Sequence, residues 1–527
     1  MSLKDKFLEN NKQNKILFLL FSLTIFLLVF STGFVSDDFS EISNIKNDKN
    51  VFKYLPFNTY INIPVLYYTH YIFYYLISIE NYTYISLVKF FYTLLSFYMI
   101  SKFFSIYVNF HNSLLISFLF LFWPTHDSTV YFYLAQYLML TIAFQLYAYY
   151  LLKKNFFKLS ILFNLLGSFI SYGSTPIAIG LCILFLLNKS YKKCLIFILP
   201  NIIYVFYYIL ISKIFLVSSI SRVPESLNIL NLIKNYIFQI LTLFDSNIGI
   251  SFFLKLFYSI FENNLFTIIV SVLVSILYFC IKKKNIQEFN EYLLDLKLLL
   301  ALIFIILISL FMFAVTGGYY QVAFNLGNRV SIYSALLFSY LFVILINKIK
   351  SQKINFFVIL FVMIIIFGIS NHWKKNTYNQ NVIIENIGAN QELVNYDDKS
   401  ILFVVGNEYS KFGNFSHIEF FSASHVAEGI FDIKNLNHIK VKTLNRSFVF
   451  DGEYLKDKKF TNRKFLVDEK IMIYNSNSNT LSMIDKDKIN SYINTLQKNK
   501  RHWIQFQNIK LLNEIVSKYL GNLSYLF

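Results

Sequence analysis

Cysteine is nearly missing: the chain of 527 residues has three, Cys182, Cys194 and Cys280, each in or beside an apolar run. That excludes a disulfide framework and a cysteine-based zinc site. Charged residues make up only 15% of the chain, and arginine is so rare that residues 1–371 hold just Arg222 and Arg329. Walker, dinucleotide-fingerprint, zinc-helix and nucleophile-elbow motifs are all lacking, so chemistry that depends on them has no support. Internal repeats are absent too, and the one biased stretch is the Asn/Ser-rich 474–480, read as a loop.

What is present is apolar. Hydrophobic residues reach 56% and the mean hydropathy is +0.50, outside the range of ordinary soluble domains. Segments 16–35, 298–316, 330–346 and 356–370 are long enough to cross a hydrocarbon core and carry almost no charge. The 60 Phe and 39 Tyr exceed what an interfacial belt needs, so aromatic content is a poor guide to function. A net charge of +18 raises the question of nucleic acid, but the lysines punctuate apolar runs instead of forming a soluble basic face. No nucleic-acid partner is expected; membrane lipids are.

Eleven spans fit, near 16–35, 83–101, 112–124, 130–152, 156–171, 174–188, 194–214, 264–281, 298–316, 330–347 and 354–371. Lys4, Lys6, Lys12 and Lys15 precede the first, which reads as an uncleaved signal anchor. With the N-terminus inside, Lys102, Lys153, Lys189, Lys282, Lys348 and their lysine neighbours all fall on the cytoplasmic side. The expected location is the cytoplasmic (inner) membrane. Outside lie loop 36–82, with an interfacial stretch at 65–79, the turns at 124–127 and 171–175, loops 215–263 and 317–329, and the tail. A second interfacial helix is expected at 227–244.

From 372 onward the composition turns polar, with β-rich runs at 400–405 and 447–450 and helical patterns at 485–497 and 510–520. About 150 residues suffice for an independent core. The expected architecture is therefore an α-helical polytopic membrane domain, 1–371, followed by a small extracytoplasmic α/β domain, 372–527.

Asp37-Asp38 is the sharpest local signal, two adjacent carboxylates where the first span leaves the membrane. Such a pair costs free energy unless water, a cation or a substrate solvates it. Low dielectric and the neighbouring acid both raise proton affinity, which would equip one of the two as a general base; the bland alternative is a solvated helix end. His126-Asp127, after Pro124, faces the same side and would contact substrate, bind a cation or cap a turn. A divalent cation (Mg or Mn) shared by Asp37 and Asp127 is a further option, with no cofactor required by the sequence. Arg329, at the outer start of a span, would grip a phosphate with its planar fork or snorkel to headgroups. Arg222 reads as an exposed loop residue and is the second candidate for phosphate. His70 reads as an interfacial aromatic partner, Tyr172 and Glu262 as helix-end residues near the outer cavity, and Asp397-Asp398 as a turn.

This layout resembles the GT-C superfamily of glycosyltransferases that use lipid-linked sugars. The resemblance rests on the many spans, Asp37-Asp38 in the first external loop, the interfacial stretch 65–79 and the tail from 372. It implies transfer of a sugar from a polyprenyl-phosphate donor to an extracytoplasmic glycan, lipid or protein. By motif position it implies a catalytic or acceptor-positioning role for Asp37 or Asp38, donor-phosphate binding for Arg329, and a second-loop acid in Asp127. The Trp-Trp-Asp signature of the oligosaccharyltransferase catalytic subunit is missing and the tail does not match the protein O-mannosyltransferases, so no subfamily is assigned. A polysaccharide polymerase or ligase would rely on external arginines, which are scarce here. A transporter would show broken helices, paired intramembrane charges or a repeat. A purely structural membrane protein is the remaining alternative.

Overall fold

The computed structural model describes residues 3–47, 63–77, 84–214, 228–283, 294–316, 319–397, 400–458, 463–467 and 469–496. Arg222, Asp398 and the expected helix at 510–520 lie outside the described residues. Each of the eleven expected segments falls on helix, from Leu3–Val29 through Ile85–Phe104 and Tyr191–Ile214 to Ile332–Lys348 and Gln352–Ala389, although the one at 130–152 is broken at extended Phe132 and becomes a long helix only over Gln136–Lys153. Among the described residues seven helices are long and apolar enough to cross a membrane, and Phe110–Leu121, Phe157–Ile170 and Ser174–Leu187 are among the shorter apolar ones.

One of the seven was not among the expected spans. Ile229–Phe261, assigned from sequence to an external loop with an interfacial helix at 227–244, is an apolar helical segment of 33 residues, bent at Gly249 between Ile229–Ile248 and Ile250–Phe261. Its polarity runs inside out. Ile233, Ile237, Leu241, Phe244, Phe253 and Phe257 face outward, whereas Gln239, Thr242, Ser246, Ser251, Lys255 and Ser259 are buried. Apolar residues at helical spacing on the outer face suit contact with acyl chains, and the buried polar stripe finds partners inside the protein.

Gln352–Ala389 has 38 residues, which at 1.5 Å per residue is about 57 Å, nearly twice the thickness of a hydrocarbon core. Ser351 caps its start by accepting from the Ile354 N–H. The boundary expected at 371/372 falls inside this helix, so its second half stands beyond an apolar layer and carries the sheet region. Ser370 Oγ and Lys374 Nζ donate to the Leu28 and Leu27 carbonyls at 2.6 and 2.5 Å, which ties the long helix to the end of the first one.

The sheet region holds strands β1 (Leu402–Val405), β2 (Tyr409–Phe412), β3 (Phe415–Glu419), β4 (Val441–Thr443), β5 (Phe448–Phe450), β6 (Tyr454–Asp457), β7 (Lys464–Leu466), β8 (Lys470–Asn475) and β9 (Thr480–Asp485). The main sheet runs β4-β1-β8-β9. β1 is parallel to both β4 and β8, while β9 is antiparallel to β8. Two smaller sheets are the β2-β3 hairpin and β5-β6-β7. Gly413, at φ +60°, opens the two-residue turn of the hairpin. Helix Ser424–Ile433 connects β3 to β4 and lies alongside helix Asp37–Asn47.

That helix pair joins the two halves of the molecule. A Cβ at Gly429 would stand 2.7 Å from the Phe39 carbonyl oxygen, so only glycine permits this approach. Ser43 Oγ donates to Asp432 Oδ2 at 2.6 Å, and Lys46 donates to the Asp432 and Ile433 carbonyls, favourable for a cation at a helix C-terminus. Phe39, Ile42, Ile384, Ile387, Val404, Ile430 and Tyr474 share one buried core.

Candidate functional site

Ser36 turns the chain out of the first helix at φ 51°, unusual for a residue with a Cβ, and the next helix begins at Asp37. Both acids occupy its first turn, where the helix dipole favours negative charge. Their side chains then part. Asp38 is sealed: Oδ2 accepts from the Val35 N–H at 2.8 Å, and Oδ1 accepts from Tyr74 Oη at 2.5 Å and the Leu134 N–H at 3.2 Å. Burial raises its proton affinity, opposed by the Tyr74 hydrogen bond and the charge of Lys89. The Lys89 ammonium is held by the Gly33 and Tyr131 carbonyls at 2.5 and 2.6 Å.

Asp37 points outward, with 44% of its side chain exposed. Its Oδ1 accepts from His425 Nε2 at 3.0 Å, at the start of helix Ser424–Ile433. Burial pushes its proton affinity up, but the His425 hydrogen bond and charge, and then Arg329, outweigh that and hold it below the ordinary value. The base-like shift expected of the pair therefore belongs to the closed member, Asp38, and the open member stays ionised at neutral pH. His425 is shifted up, chiefly by the hydrogen bond to Asp37.

Arg329 lies in the short helix Leu326–Ser331, with its guanidinium 5.3 Å from the Tyr319 ring centre, a cation–π distance. Glu419, at the end of β3, completes the group. Burial raises its proton affinity, Asp37 adds to that, Arg329 and His425 oppose it, and Ser422 Oγ donates to its Oε2 at 3.0 Å. Asp37, Arg329, Glu419 and His425 thus form one electrostatic neighbourhood drawn from three separate parts of the chain.

Asp127 takes a different place. Lys255 Nζ donates to its Oδ1 at 2.6 Å, and Asn328 Nδ2 donates to the same oxygen. Trp373 Nε1 and His417 Nε2 donate to Oδ2 at 2.7 and 2.8 Å. The Asn325 N–H donates to His417 Nδ1 at 3.1 Å, so the ring proton sits on Nε2 and points at Asp127. Burial pushes His417 down to about 4, leaving it neutral, and holds against the pull of Asp127. For Asp127 burial is outweighed by Lys255 and His417, and its proton affinity lies far below the carboxylate range.

These contacts correct two expectations. With four donors on its two oxygens, Asp127 does not fit a cation site, and among the described residues no group of three or more His, Cys, Asp or Glu side chains could hold a metal. His126 is equally enclosed: its Nδ1 is 2.7 Å from Thr129 Oγ1 and its Nε2 2.6 Å from the Phe120 carbonyl, so both ring nitrogens are already occupied. His70 is buried against the Tyr92 and Tyr133 rings.

A wide apolar groove of 920 Å³ lies among Trp123, Phe252, Phe338, Phe342, Phe357 and Phe361. Its polar rim is at Asn247, whose Oδ1 accepts from Thr125 and Ser334, and at Pro124, in the turn that leads to Asp127. The positioning residues missed from sequence, Lys255, Trp373, His417, Glu419 and His425, come from segments far from the acids they serve. Among known proteins, no family model matches the chain and no curated protein matches it significantly.

Proposed function

We propose that the chain is an integral membrane glycosyltransferase that moves a sugar from a polyprenyl-phosphate donor to an extracytoplasmic glycan, lipid or protein. The observation that carries this reading is the open Asp37 carboxylate, held by His425 and set in the field of Arg329, at the junction of the apolar helices and the sheet region. In the proposed topology the chain crosses the cytoplasmic membrane eleven times, N-terminus inside, with Ile229–Phe261 bent at Gly249 so that both its ends stay on the outer side, and the sheet region is outside. The apolar groove accommodates isoprenoid units of the donor, whose phosphate stays at headgroup depth.

In the proposed reaction an acceptor hydroxyl attacks the anomeric carbon and its proton passes to Asp37. The bond from that carbon to the phosphate oxygen breaks, and its electron pair leaves on the polyprenyl phosphate, stabilised by Arg329. An ionised carboxylate of low proton affinity is a weak base, so the proton moves late, once bond formation has made the acceptor oxygen acidic. His425 fixes the Asp37 rotamer through Oδ1. No step runs through a metal.

A transporter is the second reading, favoured by the buried Asp127–Lys255 pair. The saturated carboxylate leaves no oxygen for an exchanging ion, which favours the enzyme. Purified protein supplied with radiolabelled polyprenyl-phosphate sugars and a mixed pool of envelope acceptors tests the proposal: label should move with the parent and Asp38→Asn chains and not with Asp37→Asn. Equal transfer by Asp37→Asn and the parent would sink the mechanism. Reporter fusions after Asn371 and Lys284 should report opposite sides of the membrane.

A further inference from the structure

A second cavity, of 590 Å³, lies between the outer half of helix Gln352–Ala389 and the sheet region. It shares no lining residue with the group around Asp37. Its floor is the Glu262–His372 pair, 3.3 Å apart. The opposite wall is formed where β1 and β8, adjacent and parallel, reach their carboxyl ends at Val405 and Asn475. From β1 the chain passes to β4 on one side and later to β8 on the other, and crevices at such reversals in parallel sheets are where α/β folds bind ligands. Gly406 and Asn407 follow at φ 85° and 46°, consecutive left-handed residues that turn the backbone across the mouth.

The lining is rich in amides, with Asn376, Asn379, Gln380, Asn407, Asn475 and Asn477 all facing the space. Two of them are hard to explain as packing. Gln380 is 2% exposed, yet neither Nε2 nor Oε1 has a hydrogen-bond partner among the described residues, and Asn376 Nδ2, in a side chain 8% exposed, also has none. A buried amide without partners costs roughly 1–3 kcal/mol for each unsatisfied group, so such a pair on one cavity wall points to a ligand that satisfies them.

The chemistry of the wall selects the ligand. An amide offers a donor and an acceptor side by side, which matches a hydroxyl that must both donate and accept. Lys375 and Lys411 are offset by Glu262 and Glu408, so the cavity has no excess of either sign to attract a phosphate or a polyacid. Tyr409, Phe420 and Tyr492 add aromatic surface suited to the apolar face of a sugar ring. The volume is within the range of about 300–1,000 Å³ usual for ligand sites.

We propose that this cavity binds uncharged sugar residues of a glycan, holding the acceptor or the product chain at a distance from the transferred sugar. The ligand's role as acceptor or product rests on the glycosyltransferase reading; the cavity's preference for neutral sugars rests on its own lining.

The test uses the full chain in lipid nanodiscs, titrated with maltohexaose, cellohexaose and chitohexaose and followed by saturation transfer to sugar protons. At least one of the three should bind the parent. Gln380→Leu should weaken it tenfold or more while the Tm holds or rises, since an apolar side chain of similar size relieves the unpaired amide. Asn477→Ala, at the exposed rim, should weaken it about threefold, the scale of one neutral hydrogen bond. Absence of binding by all three, equal binding by Gln380→Leu, a fall in its Tm, or preference for an acidic hexasaccharide such as oligogalacturonate would overturn the proposal. Asp37→Asn should bind like the parent. Sugar binding lost in Gln380→Leu, with no transferase activity in the parent, would uphold the cavity and overturn the enzyme reading alone.

Discussion

Asp127 and Asp37 both stand in turns beyond an apolar helix, and the sheet region lends each of them a histidine, His417 and His425. Around Asp127 the arrangement is closed. Lys255, Asn328 and Trp373 join His417, and the side chain is 3% exposed, so a carboxylate with about four acceptor positions has none left for a ligand. Around Asp37 the donors are His425 and Ser36, and nearly half the side chain is open. What separates the closed acid from the open one here is the number of donors already in place. The Asp127 group fastens the Ile250–Phe261, Leu326–Ser331 and Gln352–Ala389 helices to β3, and through Asn328 and Arg329, neighbours in one short helix, the closed group positions the open one.

The largest effect expected from this contrast is on folding. Asp127→Ala leaves the Lys255 ammonium buried without its counter-charge, and such single removals cost about 3–5 kcal/mol. Thermal unfolding in detergent should show a large fall in Tm or no folded protein. A loss under about 1 kcal/mol would mean that the closed group is not a structural junction. Next is Asp37→Asn, which should change stability by no more than about 1 kcal/mol yet lower sugar transfer by roughly 10²-fold or more. Comparable losses of stability in the two variants would erase the distinction between the two acids.

Arg329 sharpens the open side. Arg329→Ala should weaken binding of a polyprenyl-phosphate sugar, and Arg329→Lys should weaken it less, because charge survives while the planar fork is lost. Unimpaired donor binding in both variants would remove Arg329 from the site.

The smallest effect concerns the Asp37–His425 pair itself. Asp37 is shifted down from 3.8, so its share of stability is present above that value and lost as pH falls through the lowered one. His425 is shifted up from 6.5, so its share is full below 6.5 and lost as pH rises through the raised value. The pair therefore contributes fully between pH 3.8 and 6.5 and fades on either side. With both side chains about half exposed the contribution is at most about 1 kcal/mol. In Asp37→Asn the His425 titration, followed by NMR, should move down towards 6.5; an unchanged value would show that Glu428, the other neighbour that raises it, sets it instead.

The eleven apolar segments were legible as helical because each is a continuous apolar run, and a run that crosses lipid must pair its backbone groups within itself. Ile229–Phe261 was not, because its polar residues recur every three to four positions and mimic an interfacial helix when read without neighbours. That the helix runs on past 371/372 was not legible for a related reason: composition turns polar there, but the helix continues to Ala389, its second half packed on the sheet region. Asp37-Asp38 was found from sequence as a pair, yet adjacent residues on a helix point about 100° apart, and which one faces the core depends on where Tyr74 and Leu134 arrive.

By itself the sequence determined the apolar helical character of the first part of the chain, the α/β character of the second, and the short list of acids and arginines that could matter, since these follow from local composition and spacing. Only the tertiary structure decided which acid is open. His425 lies 388 positions from Asp37 and His417 lies 290 from Asp127, so no local pattern records either contact. A carboxylate's role depends on how many donors surround it and how much water reaches it, and both are set by packing between segments that meet only when the chain is folded.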